Sequence, residues 1–119
     1  MKYMMLIADR EDGMARSTDE EQATYARIGA WWWNEQAAAG RIIEGHELQP
    51  SSTATTVRIG PDGGTTVTDG PFVEGKEMVG GYGILDVPDL DAALAVASSW
   101  PGSATSLEIR PIVERDATS

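Results

Sequence analysis

The sequence predicts an α+β fold in which two strand–helix–strand units share one antiparallel sheet. Three observations lead to this class: short apolar runs typical of strands, two helix-start signals, and a turn-rich insert between the units. Because right-handed crossovers place both helices on the same side of such a sheet, we expect a ferredoxin-like sandwich with its second sheet face uncovered.

The first unit opens the chain. Residues 2–8 are nearly continuous in apolar side chains and predict the first strand. Two overlapping capping boxes within residues 17–21 predict a helix start, and Gly40 predicts the end of that helix near residue 39. A second strand is expected to begin at residue 41 and to fade near residue 48.

A hairpin insert follows. Residues 55–59 and 65–68 flank the turn sequence Gly60-Pro61-Asp62-Gly63-Gly64, which predicts two strands joined by a somewhat long turn.

The second unit completes the sheet. Residues 82–87 predict a strand, Pro88-Asp89 opens a helix over residues 90–100, and residues 106–113 predict the last strand. Residues 1–113 are therefore interpreted as a single domain, with 114–119 as a short, frayed C-terminal tail.

The helical triplet Trp31-Trp32-Trp33 sweeps about 200° of a helix surface. Its spacing predicts that Trp32 points at the sheet and that Trp33 lies beside small residues. Trp31 is expected to be partly exposed, and its orientation toward a partner is the minority interpretation.

Composition is that of an ordinary globular chain, with 119 residues, 41% hydrophobic and 24% charged. The absence of cysteine excludes disulfides, thiolate nucleophiles and zinc–cysteine clusters. No apolar run is long enough for a spanning helix or a signal-peptide core, so a cytoplasmic location is expected.

Acidic residues outnumber basic ones by 19 to 9, a formal charge of −10. This field repels phosphate backbones, which excludes nucleic acid as an expected partner. We interpret the excess acid as a means of staying soluble, and an acidic face that meets a basic protein partner is the alternative.

No cofactor or metal site is expected. Residues 80–83 are glycine-rich, but they lack the spacing of a phosphate loop and favour close backbone packing or a bulge. One histidine and no cysteine argue against a transition-metal site.

The most distinctive segment, residues 68–77, contains Asp69-Gly70-Pro71-Phe72 and leads into Gly80-Gly81-Tyr82. It resembles the signature of the DGPF-domain or YCII-related family of small bacterial proteins. Further matching segments are residues 1–4, 54–58, 86–94 and 107–111.

The resemblance implies a ferredoxin-like homodimer, a dimeric α/β barrel, whose sheets face each other around an inter-subunit cleft. Relatives in the wider superfamily resemble lactone isomerases with a His–Asp pair, whose histidine lies on the first helix. Here that helix offers only Tyr25 as a titratable aromatic, so a histidine mechanism is not carried over.

Strand alternation places Arg58, Glu108 and Arg110 on the uncovered face. Two interpretations stay open: a structural salt-bridge network across a dimer, and a two-arginine clamp for a small carboxylate or phosphate. Asp69 and Glu77, in and beside the signature loop, are further candidates for lining the cleft. For Asp69, the alternative is a carboxylate that holds the turn through backbone N–H groups.

No catalytic residue is assigned, and whether the chain is an enzyme is left undecided. Asp69 and His46 are the candidates for acid–base chemistry, although His46 between two glutamates is also typical of an ordinary surface histidine.

Two functions are compatible with these patterns. The first is binding of a small anionic or aromatic molecule in the inter-subunit cleft, with isomerase or lactone-type chemistry conceivable. The second is a non-enzymatic accessory or regulatory role beside an alternative sigma factor, which the resemblance implies through genomic neighbours.

Overall fold

The computed structural model describes residues 1–10, 18–72, 75 and 77–115. Four strands form one antiparallel sheet in the order β2–β5–β1–β6. These strands are β1 (Lys2–Arg10), β2 (Ile42–Glu47), β5 (Glu77–Asp86) and β6 (Thr105–Pro111). Strands β3 (Thr55–Ile59) and β4 (Thr65–Asp69) form a separate two-stranded sheet. The strand order and pairing confirm the predicted ferredoxin-like α+β class.

Both helices lie on one face of the four-stranded sheet. Helix α1 (Thr18–Ala30) continues directly into π-helical turns over Trp31–Ala37, and Gly40 follows with φ of 76°. Helix α2 (Leu90–Ser98) begins after Asp89, whose carboxylate accepts a hydrogen bond of 2.9 Å from the Ala92 N–H. The predicted capping boxes include residue 17, and the predicted tail includes residues 116–119; these lie outside the described residues.

The core fills the space between this sheet face and the helices. Its largest fully buried side chains are Met5 and Leu85, on neighbouring strands of the sheet. The other buried apolar residues are Tyr3, Ile7, Trp31, Ile42, Val87, Ala93 and Val96. Alternation along β1 sends Met4 and Leu6 to the opposite, uncovered face, where they stay partly exposed.

Trp31 is buried, with 3% of its surface exposed, so the expectation of a partly exposed Trp31 is wrong. Its indole N–H donates to the Ser99 hydroxyl at 2.8 Å, and its ring packs edge-on against Trp100. The expectation used only the angular positions of side chains around a single α-helix, and this misses two causes of the burial of Trp31. The π-helical turns change the angular spacing of side chains, and Ser99 and Trp100, which follow α2, contact Trp31 from outside its own helix.

The hairpin β3–β4 stands apart from the sheet. Its turn is closed by a hydrogen bond of 2.7 Å from the Gly60 N–H to the Gly64 carbonyl, as the turn residues predict. One of its faces carries Val57, Ile59 and Val67, all more than half exposed. The radius of gyration is 16.5 Å, against about 13.5 Å for a compact chain of this length.

Within the described ranges, no helix combines the length and the apolar character needed to cross a membrane.

Candidate functional site

A cleft of about 810 Å³ lies between the first helix and strands β2 and β5, on the helix-covered side of the sheet. Its lining residues are Ile7, Asp9, Tyr25, Ala26, Ile28, Gly29, Ala30, Trp32, Trp33, Asn34, Gly45, His46, Glu47, Gly80, Gly81 and Trp100. A volume of this size accommodates a small organic molecule.

The cleft exists because the sheet has glycine where side chains would otherwise fill the space below α1. Gly45 of β2 pairs with Gly83 of β5, and Gly81 is the next residue of β5 on the same face. Gly80 is the extra residue of a β-bulge, since Ile7 pairs with Gly81 and Ala8 with Val79. The predicted bulge in this glycine-rich run is thus confirmed.

Trp32 lies directly on this glycine surface. A Cβ atom at position 83 would come within 2.9 Å of the Trp32 ring, and one at position 45 would come closer still. The prediction that Trp32 points at the sheet is confirmed. Its large ring fits there because the two strands offer bare backbone.

The outer wall and one end of the cleft are also aromatic. Trp33, with 67% of its surface exposed, lines the cleft beside Gly29 and Ala30, in agreement with the predicted small neighbours. Trp100 closes one end and is partly buried. Its indole N–H is buried and has no hydrogen-bond partner among the described residues.

A phenol–carboxylate pair lies at the rim. The Tyr25 hydroxyl of α1 donates a hydrogen bond of 2.9 Å to Oε2 of Glu47, the last residue of β2. This hydrogen bond, and then the negative charge of the Glu47 carboxylate, raises the pKa of the Tyr25 phenol above its ordinary value of 10.0. The pair therefore favours the protonated form of the phenol.

Asp9 supplies a second carboxylate. Its Oδ1 accepts a hydrogen bond of 2.9 Å from the Thr105 hydroxyl, and its Oδ2 lies over Gly80, 3.8 Å from the position that a Cβ there would take. No lysine or arginine occurs among the described residues that line the cleft. The charged side chains of the lining are therefore acidic.

Of the predicted ligand-binding residues, Glu77, Glu108 and Arg110 lie on the opposite, uncovered face. Glu108 faces Leu6 and Arg110 faces Met4 across the β1–β6 ladder, so their predicted face is confirmed. Arg110 pairs with Glu108, with both side chains more than half exposed. Glu77 accepts a hydrogen bond of 3.0 Å from the Ser106 hydroxyl.

Arg58 and Asp69 lie on the hairpin instead. The expectation that Arg58 shares the uncovered face with Arg110 is wrong within one chain, because β3 does not join the four-stranded sheet. Arg58 donates to the Phe72 carbonyl at 2.9 Å. Asp69 ends β4 opposite Thr55, and its carboxylate has no hydrogen-bond partner among the described residues.

The signature turn is held by other groups. The Gly70 N–H donates to the Ala54 carbonyl at 2.7 Å, and the Thr56 hydroxyl donates to the Gly70 carbonyl at 2.6 Å. Residues 73, 74 and 76 of the signature lie outside the described part of the chain.

The His46 ring lies on the uncovered face of the sheet, beside the Tyr82 ring, with 5.8 Å between the ring centroids. Its position on β2 also brings it to the edge of the cleft. Across the described ranges, no three histidine, cysteine, aspartate or glutamate side chains come together in a group that could hold a metal ion.

Sequence reasoning does not find the cleft, although a signal for it is present. Gly45 and Gly83 lie at facing positions of neighbouring strands, and Gly81 follows on the same face, which leaves bare backbone under whatever helix covers them. That pairing depends on the register between β2 and β5, which strand patterns alone do not specify.

Comparison with known proteins gives one family match and one curated relative. A family model of the YCII-related domain matches residues 1–116. An uncharacterized protein of Rhizobium meliloti (strain 1021) is 32% identical over 115 residues, which cover 94% of this chain and 92% of the relative.

Proposed function

The chain belongs to the YCII-related family, and we propose that its function rests on binding a small molecule in the cleft between α1 and the sheet. The observation that carries this proposal is the empty volume of about 810 Å³ over glycine backbone. A well-formed apolar pocket with a few convergent polar groups is the usual geometry of a ligand site.

The lining favours a ligand with an apolar or aromatic body. Trp32 forms part of the inner surface and Trp33 part of the outer wall, so a flat ring has aromatic surface on two sides. This site lies within one chain, whereas the residues expected to bind an anion, Arg58 and Arg110, lie elsewhere. Of the two ligand classes expected from the sequence, the proposal keeps the aromatic one and drops the anionic one, and it places the site within one chain instead of between subunits.

If the bound molecule also reacts, the Tyr25–Glu47 pair is the candidate for isomerase-type proton transfer. Glu47 keeps its Oε1 without a hydrogen-bond partner among the described residues, while its Oε2 accepts from Tyr25. A carboxylate base and a phenol donor at one rim are the two groups that a proton shift along a substrate requires.

We also propose a homodimer that associates through the uncovered sheet face. Met4, Leu6 and Ile84 remain partly exposed on that face, which is unusual for a sheet that meets only water. The exposed apolar face of the hairpin supports the same proposal, because an isolated two-stranded hairpin is marginal and needs a surface to pack against.

A different class of function, an accessory protein beside an alternative sigma factor, draws support from the net charge of −10, which suits a basic partner. Binding of a basic protein fragment in the absence of any cleft ligand would favour this second function.

The test of the cleft is a thermal-shift screen of aromatic and apolar compounds on two proteins. Ligand at about 100 times its Kd stabilises the folded state by roughly 2.7 kcal/mol. Gly29 lines the cleft, and a Cβ atom added there would meet nothing within 4 Å, so Gly29→Leu is chosen to place a larger side chain in the cleft. We expect compounds that stabilise the wild type to lose their effect on Gly29→Leu.

The matched control is Ala23→Leu, which adds a leucine to an exposed position of the same helix outside the cleft. It should respond to ligands as the wild type does. Hits that bind Gly29→Leu and the wild type equally would contradict the proposed site.

A further inference from the structure

We propose that the cleft takes an organic cation: an amine or quaternary ammonium group on an apolar or aromatic body. This inference rests on the proposed ligand-binding function and names the chemical class of the ligand.

The first support is the sign of the charge around the cleft. Glu47 pairs with Gly81 and the Asp9 carboxylate lies over Gly80, so both acidic side chains lie beside the same stretch of β5, and the described lining residues contain no lysine or arginine. The whole chain carries −10. A cleft lined by one sign of charge raises the local concentration of ions of the opposite sign.

The second support is the hydrogen bonding of the two carboxylates. Each accepts one hydrogen bond from a hydroxyl, Glu47 from Tyr25 and Asp9 from Thr105. The second oxygen of each has no partner among the described residues. Each carboxylate therefore retains an acceptor oxygen for an ammonium N–H group or for the positive methyl groups of a quaternary ammonium.

The third support is the aromatic lining. Trp32, Trp33 and Tyr25 surround the same volume, and tryptophan faces attract cations more strongly than those of other aromatic residues. Aromatic faces combined with carboxylates are the surroundings that bind quaternary ammonium groups. An anion of the same shape would meet two negative charges and no positive partner.

The test uses three probes of nearly the same shape: 3-hydroxyphenyltrimethylammonium, the uncharged 3-tert-butylphenol, and 3-hydroxybenzenesulfonate. Their dissociation constants are measured by following the indole N–H resonances in NMR titrations. We expect the cation to bind at least about tenfold more tightly than the uncharged phenol, and the sulfonate to bind more weakly than both.

Two variants that each remove one negative charge test whether the preference for the cation comes from the cleft. Glu47→Gln should weaken binding of the cation about five- to tenfold and leave binding of the uncharged phenol unchanged. Glu44→Gln removes the same charge from the opposite face of β2, outside the cleft. It should change the affinity for the cation by less than about twofold, because exposed charges at a distance are screened.

Equal affinity for the cation and the uncharged phenol would overturn the inference, and so would equal effects of Glu44→Gln and Glu47→Gln. If the uncharged phenol binds as well as the cation and Gly29→Leu abolishes both, the proposed cleft function still stands. If none of the three probes and no compound of the screen binds in a way that Gly29→Leu prevents, both proposals fail.

Discussion

The Trp32 ring occupies the space that a side chain at Gly45 would need. A Cβ at position 45 would lie 2.3 Å from Trp32 Cζ2 and 2.6 Å from the Tyr82 carbonyl oxygen. The second contact is with backbone of the neighbouring strand, so moving the indole ring does not relieve it.

We therefore expect Gly45→Ala to destabilise the protein by about 1–3 kcal/mol, the usual cost of overpacking. The matched substitution is Gly29→Ala, where the space is open and the residue lies in a helix. It should stabilise the protein by about 0.5–1 kcal/mol, because alanine replaces glycine in a helix interior. Urea unfolding of both variants measures the difference, and similar midpoints for the two would contradict the packing described for Trp32.

The tryptophan triplet makes a second prediction about stability. Trp31→Ala should cost about 3–5 kcal/mol, because it empties a buried site and leaves Ser99 without its indole donor. Trp33→Ala should stay within about 0.5 kcal/mol of the wild type, since most of that side chain is exposed. Denaturant titration separates the two variants. A larger loss for Trp33→Ala would show that its ring packs against something that one chain does not provide.

Much of the fold is predictable from local patterns. Glycine and proline mark the turns, Asp89 marks the start of α2, and alternation assigns Glu108 and Arg110 to the uncovered face. These features depend on neighbours along one strand or one helix end, and such neighbours are visible in the sequence.

The remaining features depend on contacts between distant segments. The burial of Trp31 requires Ser99 and Trp100, and the rim pair requires Tyr25 to meet Glu47 across 22 positions of the chain. Alternation assigns Arg58 to one side of its strand, but it does not reveal whether a hairpin joins the sheet. The candidate site consists mainly of such long-range relationships, so strand and helix patterns do not predict it.

The Tyr25–Glu47 pair has a pH signature. Since the folded-state pKa of Tyr25 is raised above 10.0, its hydrogen bond contributes stability below that pH and loses it as the pH rises through the raised pKa. The difference between the phenolate absorbance curves of the wild type and Tyr25→Phe isolates this tyrosine. We expect a midpoint above pH 10.0 that falls in Glu47→Gln. An unchanged midpoint in Glu47→Gln would remove the carboxylate as the cause.

The proposed homodimer predicts on which surface an added charge will dissociate it. Leu6→Lys puts a charge on the uncovered sheet face, and at micromolar concentration it should convert a dimer into a monomer. Leu94→Lys puts the same charge on an exposed position of α2 and should leave the mass unchanged. Sedimentation equilibrium measures both. A monomeric wild type, or dissociation by Leu94→Lys alone, would contradict association through the sheet.

Arg110→Ala tests the environment of the Arg110–Glu108 pair. In a single chain both side chains are more than half exposed, at 70% and 56%, and an exposed pair contributes only about 0–1 kcal/mol. If the proposed dimer buries the pair between two facing sheets, the cost of Arg110→Ala is larger, because the Glu108 carboxylate is left uncompensated at a cost of about 3–5 kcal/mol.

We expect Arg110→Ala to show this larger loss of stability, with an unfolding midpoint that depends on protein concentration. Glu108→Gln with Arg110→Ala should recover part of it, since the buried charge is then gone. A loss below about 1 kcal/mol that does not vary with protein concentration would place the pair in water and remove it from any interface.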